Sequence, residues 1–222
     1  MTTTIPLSKT RTIHINFPIT GERTFTLLEF PQKGLTESVG FHLYDASILL
    51  SQYLAFECKP CIAGKEKSVL ELGSGSCGLA GLAMTYLNYQ VTFSDRPALL
   101  PSLLINFQRN ANNLESHKLV PLAWGDIEEA KRIGQFDIVI GADVVYQKDF
   151  IVPLLQTIYM CSKKLAFICS EVREAGLADG YFVEEAKKIG FKVTRVKPKN
   201  LPSNWNDDTC MRVYKLQKLT ES

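Results

Sequence analysis

The feature that most constrains this chain is the stretch KSVLELGSGSCGLAGL, from Lys67 to Leu82. Residues 68–72 form an apolar run of the length typical of a buried parallel strand, and it leads directly into a glycine-rich turn over residues 73–78. The apolar residues that follow fall on one helical face. Glycines allow such a turn because a Cβ would block both the chain reversal and the approach of a ligand, while the helix start offers unpaired N–H groups. The stretch therefore predicts a strand, a turn and a helix that cradle a nucleotide-like ligand.

Two acidic residues narrow the identity of that ligand. Glu71 stands two positions before the first glycine, where a dinucleotide-binding turn usually carries a small or apolar residue. An acid there suits a ligand with a positive ammonium group, such as S-adenosylmethionine. A second predicted strand over residues 90–94 ends in Asp95, which is placed to accept hydrogen bonds from a ribose diol. NAD and S-adenosylmethionine both fit Asp95. The choice between these two ligands therefore depends on Glu71 and on residues later in the chain.

Composition excludes several classes of protein. The 222 residues suffice for one large domain, and 45% of them are hydrophobic. The 25 basic and 23 acidic residues give a net charge of +2, without the dense basic block that binds a phosphate backbone. No apolar run approaches the roughly 18 residues of a membrane span. We therefore expect a cytoplasmic protein that binds neither nucleic acid nor membrane.

The first part of the chain has a different pattern. Apolar and polar residues alternate over residues 13–17, and the apolar Phe25, Leu27 and Phe30 follow. This pattern favours a β-hairpin over the transit peptide suggested by the lack of acids before Glu22. Asp45 is predicted to cap the next helix, with Tyr44 at its entry, where an aromatic ring could wall a pocket. We expect residues 1–60 to form an extension packed on a core of residues 61–222.

The CxxC pair at residues 58–61 lacks a second pair of cysteines, so we expect no metal site.

Further chemistry is predicted at the ends of two later strands. A short strand over residues 119–123 precedes Trp124 and Asp126. The Trp124 ring could stack on an adenine ring, and the Asp126 carboxylate could accept a hydrogen bond from the adenine amine. Alternatively, Trp124 could fill the core. A strand over residues 136–140 opens into Asp143 and Tyr146, at the same sheet edge as the glycine turn. A carboxylate and an aromatic ring can hold a protonated lysine. The alternative is that Asp143 caps a helix, a role that Asp149 already fills.

The remaining elements complete an α/β fold. A helix beginning near Phe150 is followed by a strand over residues 164–170, a helix over residues 179–189, and strands over residues 191–196 and 210–217. The last two strands have no helix between them and must pair antiparallel. The order predicts a Rossmann-like, seven-stranded, mostly parallel sheet with helices on both faces, an antiparallel last strand, and an N-terminal β-hairpin and helix extension.

This order of elements resembles the seven-β-strand, class I S-adenosylmethionine-dependent methyltransferases, and the local motifs resemble methyltransferase family 16, the non-histone protein lysine methyltransferases. The motifs are GFHLYDA at residues 40–46, VLELGSG at residues 69–75, WGD at residues 124–126 and DVVY at residues 143–146, which matches the family's DxxY motif. The resemblance extends from the hairpin to the last strand. Among these motifs, DxxY after the GA strand end is the most specific.

The resemblance implies S-adenosylmethionine as cofactor and assigns roles to residues of this sequence. Cofactor contacts would come from Tyr44, Glu71, Gly73, Ser74, Gly75, Asp95, Trp124 and Ala142. The family usually carries tryptophan at the position of Tyr44, and Glu71 is added from its charge. Asp143 and Tyr146 would be catalytic and face the substrate nitrogen, with Asp143 acting by its side chain or its backbone carbonyl.

The expected function is methylation of a lysine on a non-histone protein, such as a chaperone or a translation factor, by a monomeric enzyme. Three alternatives stay open at this point. The enzyme could methylate another amine, a histidine or a small molecule. The chain could bind the cofactor without catalysis, as Tyr44 in place of tryptophan would allow. An NAD-dependent oxidoreductase is disfavoured by Glu71 and by the antiparallel last strands.

Overall fold

The computed structural model describes residues 8–30, 39–62, 64–173, 177–205 and 210–219. Strands and helices alternate through most of this part of the chain, as the sequence predicts. In chain order the elements are β1 (Lys9–Phe17), β2 (Gly21–Glu29), α1 (Asp45–Glu57), β3 (Ser68–Leu72), α2 (Leu79–Tyr86), β4 (Gln90–Asp95), α3 (Leu100–Asn110), β5 (Lys118–Pro121), α4 (Ile127–Ile133), β6 (Phe136–Ala142), α5 (Lys148–Cys161), β7 (Ser162–Glu171), α6 (Leu177–Ile189), β8 (Phe191–Arg195) and β9 (Met211–Lys218).

Seven of the strands form one sheet in the order β5-β4-β3-β6-β7-β9-β8. Pairing is parallel from β5 through β7, whereas β9 lies antiparallel between β7 and β8. The predicted Rossmann-like α/β class and the antiparallel last strand are confirmed. The chain moves from β3 to one side through β4 and β5, and then returns to its other side with β6. The crevice at the carboxyl end of β3 is therefore where this topology places a ligand.

Apolar cores cover both faces of the sheet because successive strand residues point in opposite directions. Val69 and Ile140 face a core shared with α1, α2, α3 and the β1–β2 hairpin. Leu70 and Val139 face a second core shared with α4, α5 and α6. Strands buried on both faces have continuous apolar runs, as found in β3 and β6. Within the described ranges, no helix is long and apolar enough to cross a membrane.

The predicted N-terminal hairpin is confirmed and packs on the core. Its strands pair antiparallel, with Ile13 opposite Phe25. Two asparagines of α3 bind the backbone of β2: the Asn106 side chain accepts from Leu28 N at 2.8 Å and donates to Leu28 O at 2.8 Å, and Asn110 does the same at Thr26 at 2.8 and 2.9 Å. An asparagine amide carries both a donor and an acceptor, so it can satisfy a strand edge as a peptide group would.

Three details of the helices differ from the sequence predictions. Helix α4 was not predicted, because its seven residues are too few to show a helical period. The prediction that Asp45 caps α1 is wrong: Tyr44 occupies the N-cap position without a side-chain hydrogen bond, and Asp45 is the first helical residue. The carboxylate still favours the positive end of the helix dipole. Similarly, Asp149 lies in the first turn of α5 and is not its cap.

We predict that Asn106→Ala destabilises the fold by about 2–4 kcal/mol, because it leaves buried backbone groups without partners. Asn106 is fully buried and also donates to Ser76 O at 2.7 Å, so the change removes contacts to both the hairpin and the glycine turn. Urea unfolding would measure the loss. Gln108→Ala, an exposed change on the same helix, is the control and should stay within about 0.5 kcal/mol of the wild type. Equal stabilities of the two variants would contradict the proposed role of Asn106.

Candidate active site

A cavity of about 320 Å³ opens at the carboxyl ends of the central strands. Its walls come from the turn after β3, the end of β4, the segment after β5, the end of β6 and the segment before α1. Of the residues predicted to contact a cofactor or substrate, all except Asp126 lie in these walls: Tyr44, Glu71, Gly73, Ser74, Gly75, Asp95, Trp124, Ala142, Asp143 and Tyr146. The structure thus brings together residues spread over a hundred positions of sequence, although their roles remain predictions.

The glycine turn approaches its neighbours too closely for any side chain. Gly73 and Gly75 have φ angles of +65° and +61°, in the left-handed region that favours glycine. A Cβ on Gly75 would lie 2.8 Å from Gly40 O, and one on Gly73 would lie 2.9 Å from Val144 Cγ1. The turn can therefore be this tight only because these positions are glycine.

Hydrogen bonds from β4 hold the turn in place. Gly75 N donates to Asp95 Oδ2 at 2.8 Å, and Ser74 N donates to Ser94 O at 3.0 Å. The other Asp95 oxygen, Oδ1, accepts from Arg96 N at 2.7 Å. Burial raises the pKa of Asp95, and these two backbone donors oppose that rise. Each carboxylate oxygen can accept a second hydrogen bond, so Asp95 can position the turn and still bind a hydroxyl group.

Glu71 places an unsatisfied acceptor in the cavity wall. Its Oε1 accepts from Gly81 N, in the first turn of α2, at 3.1 Å. Its Oε2 is buried and has no hydrogen-bond partner in the described part of the chain. Burial is the main cause that raises the pKa of Glu71 to about 7, and the Gly81 N–H opposes it. An unpaired buried carboxylate oxygen suits a cationic ligand, as the charge of Glu71 predicts.

Three aromatic rings form one wall. The Trp124 ring centroid lies 6.2 Å from that of Tyr146 and 6.4 Å from that of Phe150. Phe150 was predicted only to begin a helix; it is 43% exposed and lines the cavity. Asp126 instead accepts from Glu129 N at 3.0 Å and caps α4, outside the cavity walls. The structure therefore assigns Asp126 a role in the fold in place of the expected adenine contact.

Asp143 lies directly after β6 in a left-handed backbone conformation, with φ of +56°. Its N–H donates to Cys169 O at 2.8 Å, and its side chain is only 7% exposed. Oδ2 accepts from Arg173 Nη2 at 2.7 Å, whereas Oδ1 is buried without a hydrogen-bond partner among the residues described. Burial raises the pKa of Asp143, and the charge of Arg173 opposes that rise. One oxygen of this carboxylate is therefore held by a fixed cation, and the other is available.

Arg96, Phe150 and Arg173 are among the cavity residues that sequence reasoning missed. Arg96 follows Asp95 at the end of a strand, and this position could have marked Arg96 as a cavity residue. Its Nη2 donates to Val39 O at 3.0 Å. Phe150 was recognised only as apolar. Arg173 follows β7, and its ion pair with Asp143 joins residues thirty positions apart, so it has no local signal in the sequence. Such a pair forms only because β6 and β7 are neighbours in the sheet.

The strand order, the glycine turn at the reversal point and the acid that ends β4 are features of a Rossmann-like fold. A solved methyltransferase structure from Pyrococcus furiosus has the same fold, with a TM-score of 0.57 and 18% identity over 86% of this chain and 88% of that one. Residues 24–189 match the family described as lysine methyltransferase, and the chain belongs to this family. The cofactor is therefore S-adenosylmethionine.

Named relatives agree with this family. The chain is 32% identical to the mouse (Mus musculus) protein N-lysine methyltransferase METTL21A over 182 residues, which are 79% of this chain and 76% of that protein. It is also 32% identical to the Xenopus tropicalis EEF1A lysine methyltransferase 3, over 64% of this chain and 62% of that protein. The predicted resemblance to the lysine methyltransferases is confirmed.

We predict that the buried Glu71 makes the protein without cofactor less stable as pH rises. Between its ordinary pKa of 4.5 and its folded value of about 7, the folded state keeps a proton that the unfolded state has released. The unfolded state then binds fewer protons, so stability falls by at most about 1.4 kcal/mol per pH unit.

Urea unfolding of the wild type and of Glu71→Gln at several pH values would test this. The stability of the variant relative to the wild type should increase from pH 5 to about pH 7 and then level off. Glu184→Gln, an exposed change on α6, should show no such trend. A constant difference between Glu71→Gln and the wild type would show that Glu71 titrates normally.

Proposed function

We propose that this protein transfers the methyl group of S-adenosylmethionine to the side-chain amine of a lysine in another protein, and that Asp143 receives that amine. The observation that carries the proposal is that Asp143 lines the same cavity as the glycine turn and that its buried Oδ1 has no hydrogen-bond partner among the described residues. The relatives support the choice of lysine, since those from mouse and Xenopus tropicalis are both named as lysine methyltransferases.

The residues of the cavity fit the cofactor group by group. The unpaired Oε2 of Glu71 would accept from the methionine ammonium, and the spare lone pairs of Asp95 would accept from the ribose hydroxyls. Trp124 would stack on the adenine ring. The turn at residues 73–75, together with Ala142 and Tyr44, would complete the walls. When bound, the sulfonium supplies a methyl group that is already activated for attack by a nitrogen.

The protein must then bring in a neutral amine. Lysine has an ordinary pKa of about 10.4, so it arrives protonated at neutral pH. Asp143 would attract the ammonium ion, and its raised pKa makes it a better proton acceptor than an exposed aspartate. Burial of the amine among Tyr146 and its neighbours would favour the uncharged form. Holding the nitrogen in line with the methyl group accounts for the rest of the rate enhancement.

We further propose that the protein acts as a monomer in the cytoplasm and binds no nucleic acid. The net charge of +2 and the absence of a dense basic block in the sequence support the proposal that the protein binds no nucleic acid. Buried thiols such as Cys77 and Cys161 are compatible with a reducing compartment.

We predict that Asp143→Asn lowers methyl transfer by about 100-fold, because it removes the charge that receives the amine. Labelled S-adenosylmethionine would be added to a cell lysate with wild type or variant, and labelled proteins would be separated by size. Affinity for S-adenosylhomocysteine should stay within about threefold of the wild type. Asp149→Asn, an exposed change in the first turn of α5, is the control and should transfer normally.

Hydrolysis of the labelled band should release methyl-lysine. Label in methyl-histidine, or only in low-mass material, would overturn the choice of lysine. Normal turnover by Asp143→Asn would remove the side chain of Asp143 from the mechanism.

We also predict that Trp124→Leu weakens binding of S-adenosylhomocysteine by about tenfold, through loss of stacking on the adenine. Titration calorimetry would measure the affinity. Trp205→Leu is the matched control, since Trp205 lies outside the cavity and donates to Gln52 at 2.7 Å. Equal affinities for the two variants would show that Trp124 fills the core without touching the cofactor.

A further inference from the structure

A second cavity, of about 290 Å³, adjoins the first. It lies between the segment that enters α1, strand β1, and the ends of β7 and β9. Leu43, Tyr44 and Asp143 line both cavities. Asp143 therefore stands at the boundary between the proposed cofactor cavity and a separate opening, and a group in either cavity could reach it.

The walls of the second cavity are rich in negative charge. Asp45, Asp143 and Glu171 contribute carboxylates, and Arg11 contributes the single cation of the walls as described. Arg11 is already engaged, because its Nη1 donates to Leu43 O at 3.3 Å and lies 3.7 Å from Glu29 Oε1. The excess of carboxylates favours a cationic occupant.

Asp143, which lines both cavities, also indicates a cation. Asp143 Oδ1 is buried and has no hydrogen-bond partner in the part of the chain that the structure covers, and the side chain is 7% exposed. Leaving such an acceptor unpaired costs free energy that a ligand donor would recover. Arg173 does not bind Oδ1, since its Nη2 donates to Asp143 Oδ2 at 2.7 Å and to Glu171 Oε2 at 3.1 Å.

We propose that the second cavity is the passage through which the target lysine enters, and that its amine binds Oδ1 of Asp143 while Arg173 holds Oδ2. This inference rests on the proposed function. Methyl transfer needs the amine to approach the methyl group from the side opposite the sulfur, and an entrance separate from the cofactor cavity would allow this approach. Leu43, Tyr44 and Ala46 supply apolar walls for the aliphatic part of the lysine. The acids at the opening select a cationic side chain over a neutral one.

Two cofactor analogues would test the passage. Each carries a nitrogen in place of the sulfur, and in place of the methyl group one bears an aminobutyl chain and the other a pentyl chain. Calorimetry would compare their affinities for the wild type, for Asp143→Asn, for the double variant Asp45→Asn and Glu171→Gln, and for Glu184→Gln as the exposed control. Binding of S-adenosylhomocysteine would show that each variant is folded.

The wild type should bind the aminobutyl analogue at least about tenfold more tightly than the pentyl analogue, because an ammonium group adds a charge-assisted hydrogen bond. Asp143→Asn should abolish this preference, the double variant should reduce it about threefold or more, and Glu184→Gln should leave it unchanged. All variants should bind S-adenosylhomocysteine normally.

Two results would overturn the passage: no ammonium preference in the wild type, or a preference that the double variant retains in full. The lysate assay decides the proposed function separately. If lysine is methylated but the double variant keeps the preference, lysine methylation stands and the entrance lies elsewhere.

Discussion

The architecture of the site depends on the close contact between the glycine turn and the segment that precedes α1. Ser76 N donates to Gly40 O at 2.6 Å, and there is no room for a Cβ at Gly75. This contact places the pre-α1 segment, and therefore Tyr44, against the carboxyl end of the central strand. The Asp95 carboxylate holds the same turn from the opposite side. A side chain at Gly75 would separate the turn from this segment and open the wall that both cavities share.

The hairpin is tied to the same turn. Asn106 joins β2 to the carbonyl of Ser76 through hydrogen bonds made by a single buried amide. A loss of order in the hairpin would consequently remove support from the glycine turn at the cofactor cavity. The extension contributes apolar area to one of the two cores, and through α3 it also supports the geometry of the turn.

Buried carboxylates carry the chemistry of the site, and each is compensated in a different way. Asp95 is satisfied by two backbone N–H groups, and Glu71 by one, which leaves an oxygen for the cofactor. Asp143 is held by a guanidinium, and its other oxygen has no hydrogen-bond partner in the described ranges. Partly satisfied buried carboxylates are costly in a folded protein, and their concentration at one sheet edge is typical of a functional site.

The α/β class, the glycine turn and the residues that meet at the sheet edge could be predicted from the sequence, because they follow from local patterns and from the rule that parallel strands end together. Helix α4 was not predicted because it is too short to show a helical period. The capping role of Asp126 was therefore not predicted either. The pairing of Asp143 with Arg173 and the second cavity that adjoins it became visible only in the folded chain. Both depend on which strands become neighbours and on how the pre-α1 segment packs across them, and contacts between residues so far apart leave no mark on the local sequence.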